Sequence, residues 1–377
     1  MAGTESTGSR RQVALALQGG GSHGAFTWGV LDRILEDPTI DIIGVTGASA
    51  GALNAVVLAD GLLRGGREGA RQRLRDLWGA IGAMPGLGSL LWWMTGETQS
   101  HLRLEHTAPY IAWDALSRNF SPYDLNPMKL NPLRDPLTKL VDFERLRAEK
   151  DFQILVCATN VLNARRRIFT NEDISVDAIL ASACLPQLFP AVEIDGQPYW
   201  DGGYTGNPAM AALLHRMPKC DMVVVRIDPI IRVDVPRTPR EIEDRITELS
   251  FNTTFWLEMS WIGLLLRLVE EGELDRERFG RFFFHCIEPA DELEKIAAST
   301  KRNNSPAFLH YLFDLGRATA ESWFKEHDAA VGQKSTVDLT RLLPVGTPPA
   351  GVSERADPLS RLVSDWREQG ARNLHRA

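Results

Sequence analysis

The feature that most constrains this chain is a glycine triplet that lies between a short apolar run and a helical pattern. Val13–Leu17 (VALAL) is continuous and apolar, as in a parallel strand that is buried on both faces. The loop QGGGSHG (18–24) comes next, and apolar residues then recur at helical spacing over Ala25–Leu35, before Pro38. A strand, a glycine-rich turn and a helix in this order predict the first unit of an α/β fold with a parallel sheet.

The same alternation continues along the chain. A second strand is predicted at Ile42–Val45, followed by a helix of small residues at Ser49–Leu58 that ends near Gly61. The other predicted strands and helices are Phe152–Ala158, Arg167–Thr170, Met222–Ile227 and Arg281–Ile287 for strands, and Ser175–Ser182 and 241–271 for helices. Because Pro344–Pro358 is rich in Pro, Gly and Ser, we predict a main domain over 12–340 and then a linker and C-terminal amphipathic helix over 341–377.

Composition excludes several classes of protein. The chain has 377 residues, of which 44% are hydrophobic and 24% charged, and its net charge of −7 gives no reason to expect binding to nucleic acid. Its four cysteines lie far apart and are interpreted as buried reduced thiols rather than disulfides or metal ligands: Cys157, Cys184, Cys220 and Cys286. The first apolar run is too short for a signal peptide, and no run of about 18 uncharged apolar residues could span a membrane. We therefore expect a soluble, cytoplasmic protein.

The glycine loop also satisfies the pattern G-x-G-x-x-G at Gly19, Gly21 and Gly24, which makes dinucleotide binding one alternative. That fingerprint needs an acidic residue about 20 residues later, at the end of the second strand, to bind the ribose. Here Asp41 precedes the second strand, and the strand ends in GASAG instead. An oxidoreductase that binds a dinucleotide is therefore disfavoured.

The segment GASAG has the form G-x-S-x-G and consists of Gly47, Ala48, Ser49, Ala50 and Gly51. Between a strand and a helix, this pattern places the serine on a sharp turn with its hydroxyl exposed, and the flanking glycines avoid clashes across the turn. The free N–H groups at the start of the helix point toward charge that develops nearby. Ser49 is therefore a candidate nucleophile, although small residues in this pattern also serve close helix packing.

The histidines offer no evident base for this serine. In α/β-hydrolases the sharp turn that carries the nucleophilic serine, called the elbow, follows several strands, and the catalytic histidine comes late in the chain. Here the elbow at Ser49 follows only the second predicted strand. His285 lies in FFFHC and is better interpreted as a core or edge residue, and His310 has no distinguishing context. The better candidate is Asp201, which ends the run YWD and precedes Gly202 and Gly203. A plain surface turn is the alternative for Asp-Gly-Gly alone.

Three stretches together resemble the patatin-like phospholipases, a family of lipid acyl hydrolases: GGGSHG (19–24), GASAG (47–51) and DGG (201–203). The segment ASACLPQLFPAVEIDGQPYWDGG (181–203) is also similar to the family's approach to its aspartate. The resemblance covers about residues 12–230, and the order and spacing of the three motifs are far more specific than any one of them. It implies a three-layer α/β/α fold with a mainly parallel central sheet and additional helices.

The resemblance also implies a catalytic Ser–Asp dyad, which falls here on Ser49 and Asp201. It implies that the glycine loop is an oxyanion hole, made by Gly19, Gly20, Gly21, Ser22, His23 and Gly24. The family usually carries Arg or Lys where this chain has His23, and a histidine supplies a positive charge only when it is protonated. The implied chemistry is ester hydrolysis through an acyl-enzyme, which needs no metal and no cofactor.

The implied partner is a lipid or another acyl ester, with the head group and the chain length left open. A non-catalytic relative that binds lipid is the other alternative, although such a protein would usually lack the serine or the aspartate. Two apolar segments, Leu90–Met94 and Phe255–Val269, are expected either to pack in the core or to contact acyl chains or a lipid surface. Peripheral contact with a membrane stays open for this reason, and the oligomeric state is not indicated.

Overall fold

A computed structural model describes residues 11–84, 119–228, 235–275, 277, 282–289, 293, 296, 298–337 and 339. The strands are β1 (Arg11–Leu17), β2 (Ile40–Gly47), β3 (Gln153–Asn160), β4 (Arg166–Thr170), β5 (Val192–Ile194), β6 (Gln197–Asp201), β7 (Asp221–Val225) and β8 (Phe284–Ile287). The helices are α1 (Gly24–Ile34), α2 (Ala50–Ala83), α3 (Pro122–Leu125), α4 (Arg134–Leu140), α5 (Phe143–Ala148), α6 (Val176–Ser182), α7 (Met210–Arg216), α8 (Pro239–Glu270) and α9 (Pro306–His327).

Two predicted features, the cluster Leu90–Met94 and the linker and helix over 341–377, lie outside the described residues. The predicted domain boundaries therefore stay a prediction.

The eight strands form one sheet in the order β5-β6-β3-β2-β1-β7-β8, with β4 also paired to β3. The strands β3, β2, β1, β7 and β8 run parallel to one another, whereas β4 and β6 pair antiparallel with β3, and β5 pairs antiparallel with β6. Helices cover both faces of the sheet, so the predicted α/β fold of three layers with a mainly parallel sheet is confirmed.

The alternation of side chains along β1 explains the three layers. Val13, Leu15 and Leu17 belong to one core, which they share with residues of α1, α2 and α9. Ala14 and Ala16 point to the opposite face and belong to a second core with residues of α7 and α8. Because both faces are covered, the parallel strands are apolar throughout, which is why the sequence reveals them as continuous runs.

The hairpin of β5 and β6 is the part of the sheet that the sequence analysis missed. Its turn is Asp195-Gly196, and both residues have positive φ, 52° and 71°. Asp-Gly is favoured in two-residue hairpin turns because both central positions require this conformation. The dipeptide was therefore the available signal, and the hairpin matters because β6 ends at Asp201.

The predicted end of the second helix near Gly61 is wrong. Gly61 is buried within α2, and the helical conformation breaks later, at Gly65 and Gly66, where φ of Gly66 is +59°. A single glycine inside a helix costs only about 1 kcal/mol relative to alanine, so packing can override it. Two consecutive glycines, one of them in the left-handed region, produce the actual break.

The segment Phe255–Val269 forms the second half of α8, and its inner face packs in the core. Phe255, Met259 and Ile262 are buried, whereas Leu257 and Trp261 are exposed on the outer face. The core interpretation is therefore correct for the inner face. None of the helices in the described part of the chain is long and apolar enough to cross a membrane.

Candidate active site

The predicted site residues meet at the edge of the sheet where the parallel strands β1, β2 and β3 end. The glycine loop follows β1, the serine elbow follows β2, and these strands are adjacent in the sheet. Asp201 ends β6, which pairs antiparallel with β3, so that Asp201 lies opposite Ala158. Ligands of open α/β sheets bind at this edge because loops from adjacent strands leave a crevice there.

Ser49 lies on a strained turn immediately before α2. Its φ of 53° and ψ of −126° fall outside the regions that side chains usually adopt. A Cβ at Gly47 would collide with the backbone of Gly51, and a Cβ at Gly51 would collide with the carbonyl of Leu17. The Ser49 N–H donates to the carbonyl and to the hydroxyl of Ser182, at 3.1 Å and 3.0 Å, which fixes the turn from the side of α6.

Asp201 is completely buried, so the alternative of a surface turn is wrong. Its N–H donates to the carbonyl of Cys184 at 2.8 Å, and its Oδ1 accepts from the N–H of Gly203 at 2.8 Å. Both glycines of this loop are buried, and a Cβ at Gly202 would collide with the Cys157 carbonyl. The tight turn therefore holds the carboxylate inside the protein, behind the elbow.

Burial raises the pKa of Asp201 from 3.8 to about 7, because a carboxylate loses hydration there. The hydrogen bond from the Gly203 N–H and the nearby Ser49 side chain both lower this pKa, whereas Asp228 raises it and Lys301 lowers it. The two predicted dyad residues therefore lie close together, and Oδ2 of Asp201 is buried with no hydrogen-bond partner among the described residues. A carboxylate with a pKa near 7 suits a general base at neutral pH.

The glycine loop is held against the elbow by a residue that the sequence analysis missed, Asn207. Its Oδ1 accepts from the N–H of Gly19 at 2.7 Å, and its Nδ2 donates to the carbonyl of Gly19 at 3.3 Å. A Cβ at Gly19 would lie 2.6 Å from the Cβ of Ser49. Asn207 is fully buried, six residues after Asp201 in DGGYTGNP, so one loop supplies both residues.

The two ends of the glycine loop have different surroundings. Gly20, Gly21 and Ser22 line a cavity together with Ser49. His23 is fully buried away from that cavity, with its Nε2 2.8 Å from the hydroxyl of Thr300 and its ring beside Phe308. Gly24 packs against Ala50 and Trp78. The structure therefore brings the first part of the predicted oxyanion hole to the serine, whereas His23 and Gly24 lie behind it.

The cavity in front of Ser49 has a volume of about 570 Å³, within the usual range for small-molecule sites. Most of its described lining is apolar. These residues come from α2 and its end, from the start of α4, from the loop after α6 and from α8: Leu53, Trp78, Ile81, Met84, Leu133, Leu185, Leu188, Phe189 and Phe251. Charged side chains also line it: Glu243, Asp244, Glu248, Lys301 and Arg302. The contribution of α8 comes from its first half, so the interpretation of Phe255–Val269 as the wall of this cavity is wrong.

The remaining candidate groups lie away from this cavity. His285 is buried on β8, with Nε2 3.1 Å from Asp221 and Nδ1 3.3 Å from Thr336, as expected of a core histidine. His310 is exposed on α9 and interacts with the Pro306 carbonyl. All four cysteines are buried and free, as predicted. In the described ranges, no group of three or more His, Cys, Asp or Glu could hold a metal ion.

The model of the patatin-like phospholipase family matches residues 15–213, which is more than half of the chain. The chain belongs to the patatin-like phospholipase family. Membership of this family indicates a lipid acyl hydrolase at the level of the family. The matched range includes the glycine loop, Ser49, Asp201 and Asn207, and it ends before α8.

The solved structures that match this chain include VipD from Legionella pneumophila, with 16% identity, a TM-score of 0.36 and coverage of 89% of this chain and 73% of VipD. The type III effector ExoU of Pseudomonas aeruginosa has 14% identity and a TM-score of 0.27, and the match covers 81% of this chain and 53% of ExoU. The chain thus spans about half the length of ExoU. None of the curated proteins matches this chain. The patatin-like assignment rests on the family model.

Proposed function

We propose that this protein is a serine lipid acyl hydrolase of the phospholipase A or esterase type that uses a dyad of Ser49 and Asp201. The observation that carries the proposal is the interaction between a serine on a strained turn and a buried aspartate whose pKa is raised to about 7, beside an apolar cavity. Strained residues and perturbed carboxylates of this kind concentrate at catalytic sites.

In the proposed reaction, Ser49 Oγ attacks the carbonyl carbon of the ester and its proton passes to Asp201. Since Oδ1 of Asp201 already accepts from Gly203, Oδ2 takes the proton. The C–O bond of the ester then breaks, and Asp201 returns the proton to the alcohol that leaves. In the second half of the reaction, water attacks the carbonyl carbon of the acyl-enzyme while Asp201 takes a proton from that water. The acyl–Oγ bond then breaks, and Asp201 returns this proton to Ser49 Oγ.

The oxyanion of each tetrahedral intermediate is proposed to accept from backbone N–H groups of the loop at Gly20 and Gly21, which line the cavity beside Ser49. The N-terminus of α2, which starts at Ala50, adds a partial positive charge on the same side. Such donors act on charge that exists only in the transition state, so they increase kcat more than they strengthen substrate binding. No step of this chemistry requires a metal or a cofactor.

A direct test of the proposed function is to incubate the purified protein with phospholipid vesicles, triacylglycerol emulsions and p-nitrophenyl esters. Release of free fatty acid, measured by mass spectrometry, is the expected result, together with labelling by a fluorophosphonate probe. A protein that binds these lipids without releasing fatty acid and without labelling would be the non-catalytic relative, and the proposal would then be wrong.

The pH dependence of hydrolysis should report the pKa of Asp201. We expect kcat/KM for a p-nitrophenyl ester to be low below about pH 6, to rise through a midpoint near 7 and to reach a plateau above it, because only the ionised carboxylate accepts the serine proton. The control is the residual activity of Asp201→Asn, which should lack this transition. A midpoint near pH 4, the value of an ordinary aspartate, would contradict the assignment of Asp201.

The cavity should select long acyl chains. Each additional buried methylene contributes about 0.8 kcal/mol, which corresponds to a gain of up to about fourfold in kcat/KM until the cavity is full. Leu188→Trp should reduce kcat/KM for long-chain esters by about tenfold and change it little for acetate esters, since the larger ring occupies cavity volume. Leu162→Trp is the matched control, because Leu162 is 72% exposed and lies outside the cavity. Equal losses on short and long esters would refute this role of the cavity.

A further inference from the structure

The glycine loop is enclosed by two segments that lie beyond the residues matched by the family model. On one side, a Cβ at Gly20 would lie 2.9 Å from the side chain of Ile227 and 3.3 Å from Oδ1 of Asp228, just after β7. On the other side, a Cβ at Gly21 would collide with the carbonyl of Lys301. Gly21 has a φ of +59°, so the loop needs glycine there for its backbone conformation as well.

An ion pair joins these two segments across the loop. Lys301 Nζ lies 2.5 Å from Oδ1 of Asp228, whose side chain is completely buried. The Asp228 N–H donates to Oε1 of Gln18 at 2.9 Å, and its carbonyl accepts from Arg226 at 2.8 Å. Gln18 directly precedes the glycine triplet, so Asp228 is tied to the loop through the backbone as well as through Lys301.

The turn that carries Lys301 touches the loop at a second point. It is a 3₁₀ turn over Ala298–Arg302, and the hydroxyl of Thr300 interacts with His23 at 2.8 Å. Lys301 itself lines the cavity together with Ser49. Lys301, about 280 residues further along the chain, therefore supplies the positive charge near the glycine loop, whereas His23 is buried behind the loop.

We propose, on the basis of the proposed hydrolase function, that Lys301 and Asp228 form a positioning pair that fixes Gly20 and Gly21 against the Ser49 elbow. The pair keeps the loop N–H groups at the place where the oxyanion forms. A displacement of about 1 Å at such a site can cost on the order of 100-fold in rate. The opposite effects of the two residues on the pKa of Asp201 are consistent with their closeness to the dyad.

A purely structural ion pair is the competing explanation, and the double variant Lys301→Met/Asp228→Asn separates the two. Each single variant removes one charge of the pair and leaves the opposite charge in place, so it is expected to lower the melting temperature. The double variant removes both charges, so we expect it to fold with a melting temperature close to that of the wild type. Its kcat on a short soluble ester should nevertheless fall by at least about tenfold, with KM within about twofold. A double variant with wild-type kcat would overturn the proposal.

Two comparisons complete this experiment. Lys301→Arg keeps the charge and should retain most of the activity. The matched control is Arg64→Met/Asp60→Asn, which removes another ion pair with a completely buried aspartate, 2.8 Å apart on α2 and outside the cavity. It also removes both charges of its pair, so its melting temperature should stay close to that of the wild type, and its kcat should be unchanged. Loss of kcat in this control equal to that in the Lys301 and Asp228 double variant would also overturn the proposal.

Hydrogen–deuterium exchange tests the positioning without relying on activity. In the double variant, amides of the peptide over 18–24 should exchange at least about tenfold faster than in the wild type, and in the Arg64 and Asp60 control they should not. Unchanged exchange of this peptide would overturn the proposal even if the wild type hydrolyses esters. Faster exchange in a protein whose wild type releases no fatty acid would support the pair and refute the hydrolase function separately.

Discussion

Ser49→Ala is expected to abolish ester hydrolysis, with a loss of at least about 10⁴-fold in kcat, since removal of a serine nucleophile can cost about 10⁶-fold. Ser49 combines a strained elbow, the start of α2, contact with the cavity and an interaction with Asp201. Alanine adopts the strained backbone conformation at position 49 as readily as serine does, and the substitution removes only the hydroxyl. The folded structure should therefore persist, which circular dichroism and the melting temperature will check.

Labelling by a fluorophosphonate probe provides the second measurement for this variant. The wild type should be labelled at Ser49, as mapped by mass spectrometry, and Ser49→Ala should not be labelled. Ser250→Ala is the matched control, because Ser250 lies on α8, donates to the Ile246 carbonyl and does not line the cavity. Undiminished labelling of Ser49→Ala would show that another serine is the nucleophile.

Asp201→Asn should have the second largest effect, a fall in kcat of at least about 100-fold, the low end of general-base contributions. Asparagine has nearly the same shape and can still accept from the Gly203 N–H, but it cannot take the serine proton. His215→Ala and His310→Ala are the controls, since both histidines lie outside the cavity. If either histidine variant loses as much activity as Asp201→Asn, a triad would replace the dyad.

The same variant should be more stable than the wild type at neutral and alkaline pH. Because the pKa of Asp201 is about 7 in the folded protein and about 3.8 when unperturbed, the folded state binds more protons between these values. Stability therefore decreases as the pH rises through this window. At about 1.36 kcal/mol per unit, the ionised carboxylate costs up to about 4 kcal/mol at pH 8.

Denaturant unfolding of the wild type and Asp201→Asn at several pH values measures this difference. The gain in unfolding free energy should be largest at about pH 8 and should disappear as the pH falls below about 3, where the wild-type carboxyl is protonated in both the folded and the unfolded state. A variant that is less stable than the wild type at pH 8 would mean that the buried carboxylate is stabilised by its surroundings, contrary to its raised pKa.

The sequence by itself determined the parts of this protein that depend on local pattern. The continuous apolar runs predicted β1, β2, β3 and β7, because parallel strands covered on both faces are apolar throughout. The local pattern also predicted the elbow at Ser49, since the strained turn needs glycine at positions 47 and 51. The order of the three motifs then identified the family that the family model independently assigns.

Only the tertiary structure decided which groups surround the serine, because those contacts join residues that are far apart in the chain. The antiparallel pairing of β6 with β3 buries Asp201 behind the elbow, and Asn207 bonds to Gly19 across 188 positions. Hydropathy predicted that the second half of α8 is buried, but it could not distinguish packing in the core from lining of the cavity. The structure shows that the charged first half of α8 lines the cavity instead. Lys301 and Asp228 carry no local signal, since an ion pair depends on two side chains that meet only after the sheet and the turn at 298–302 have formed.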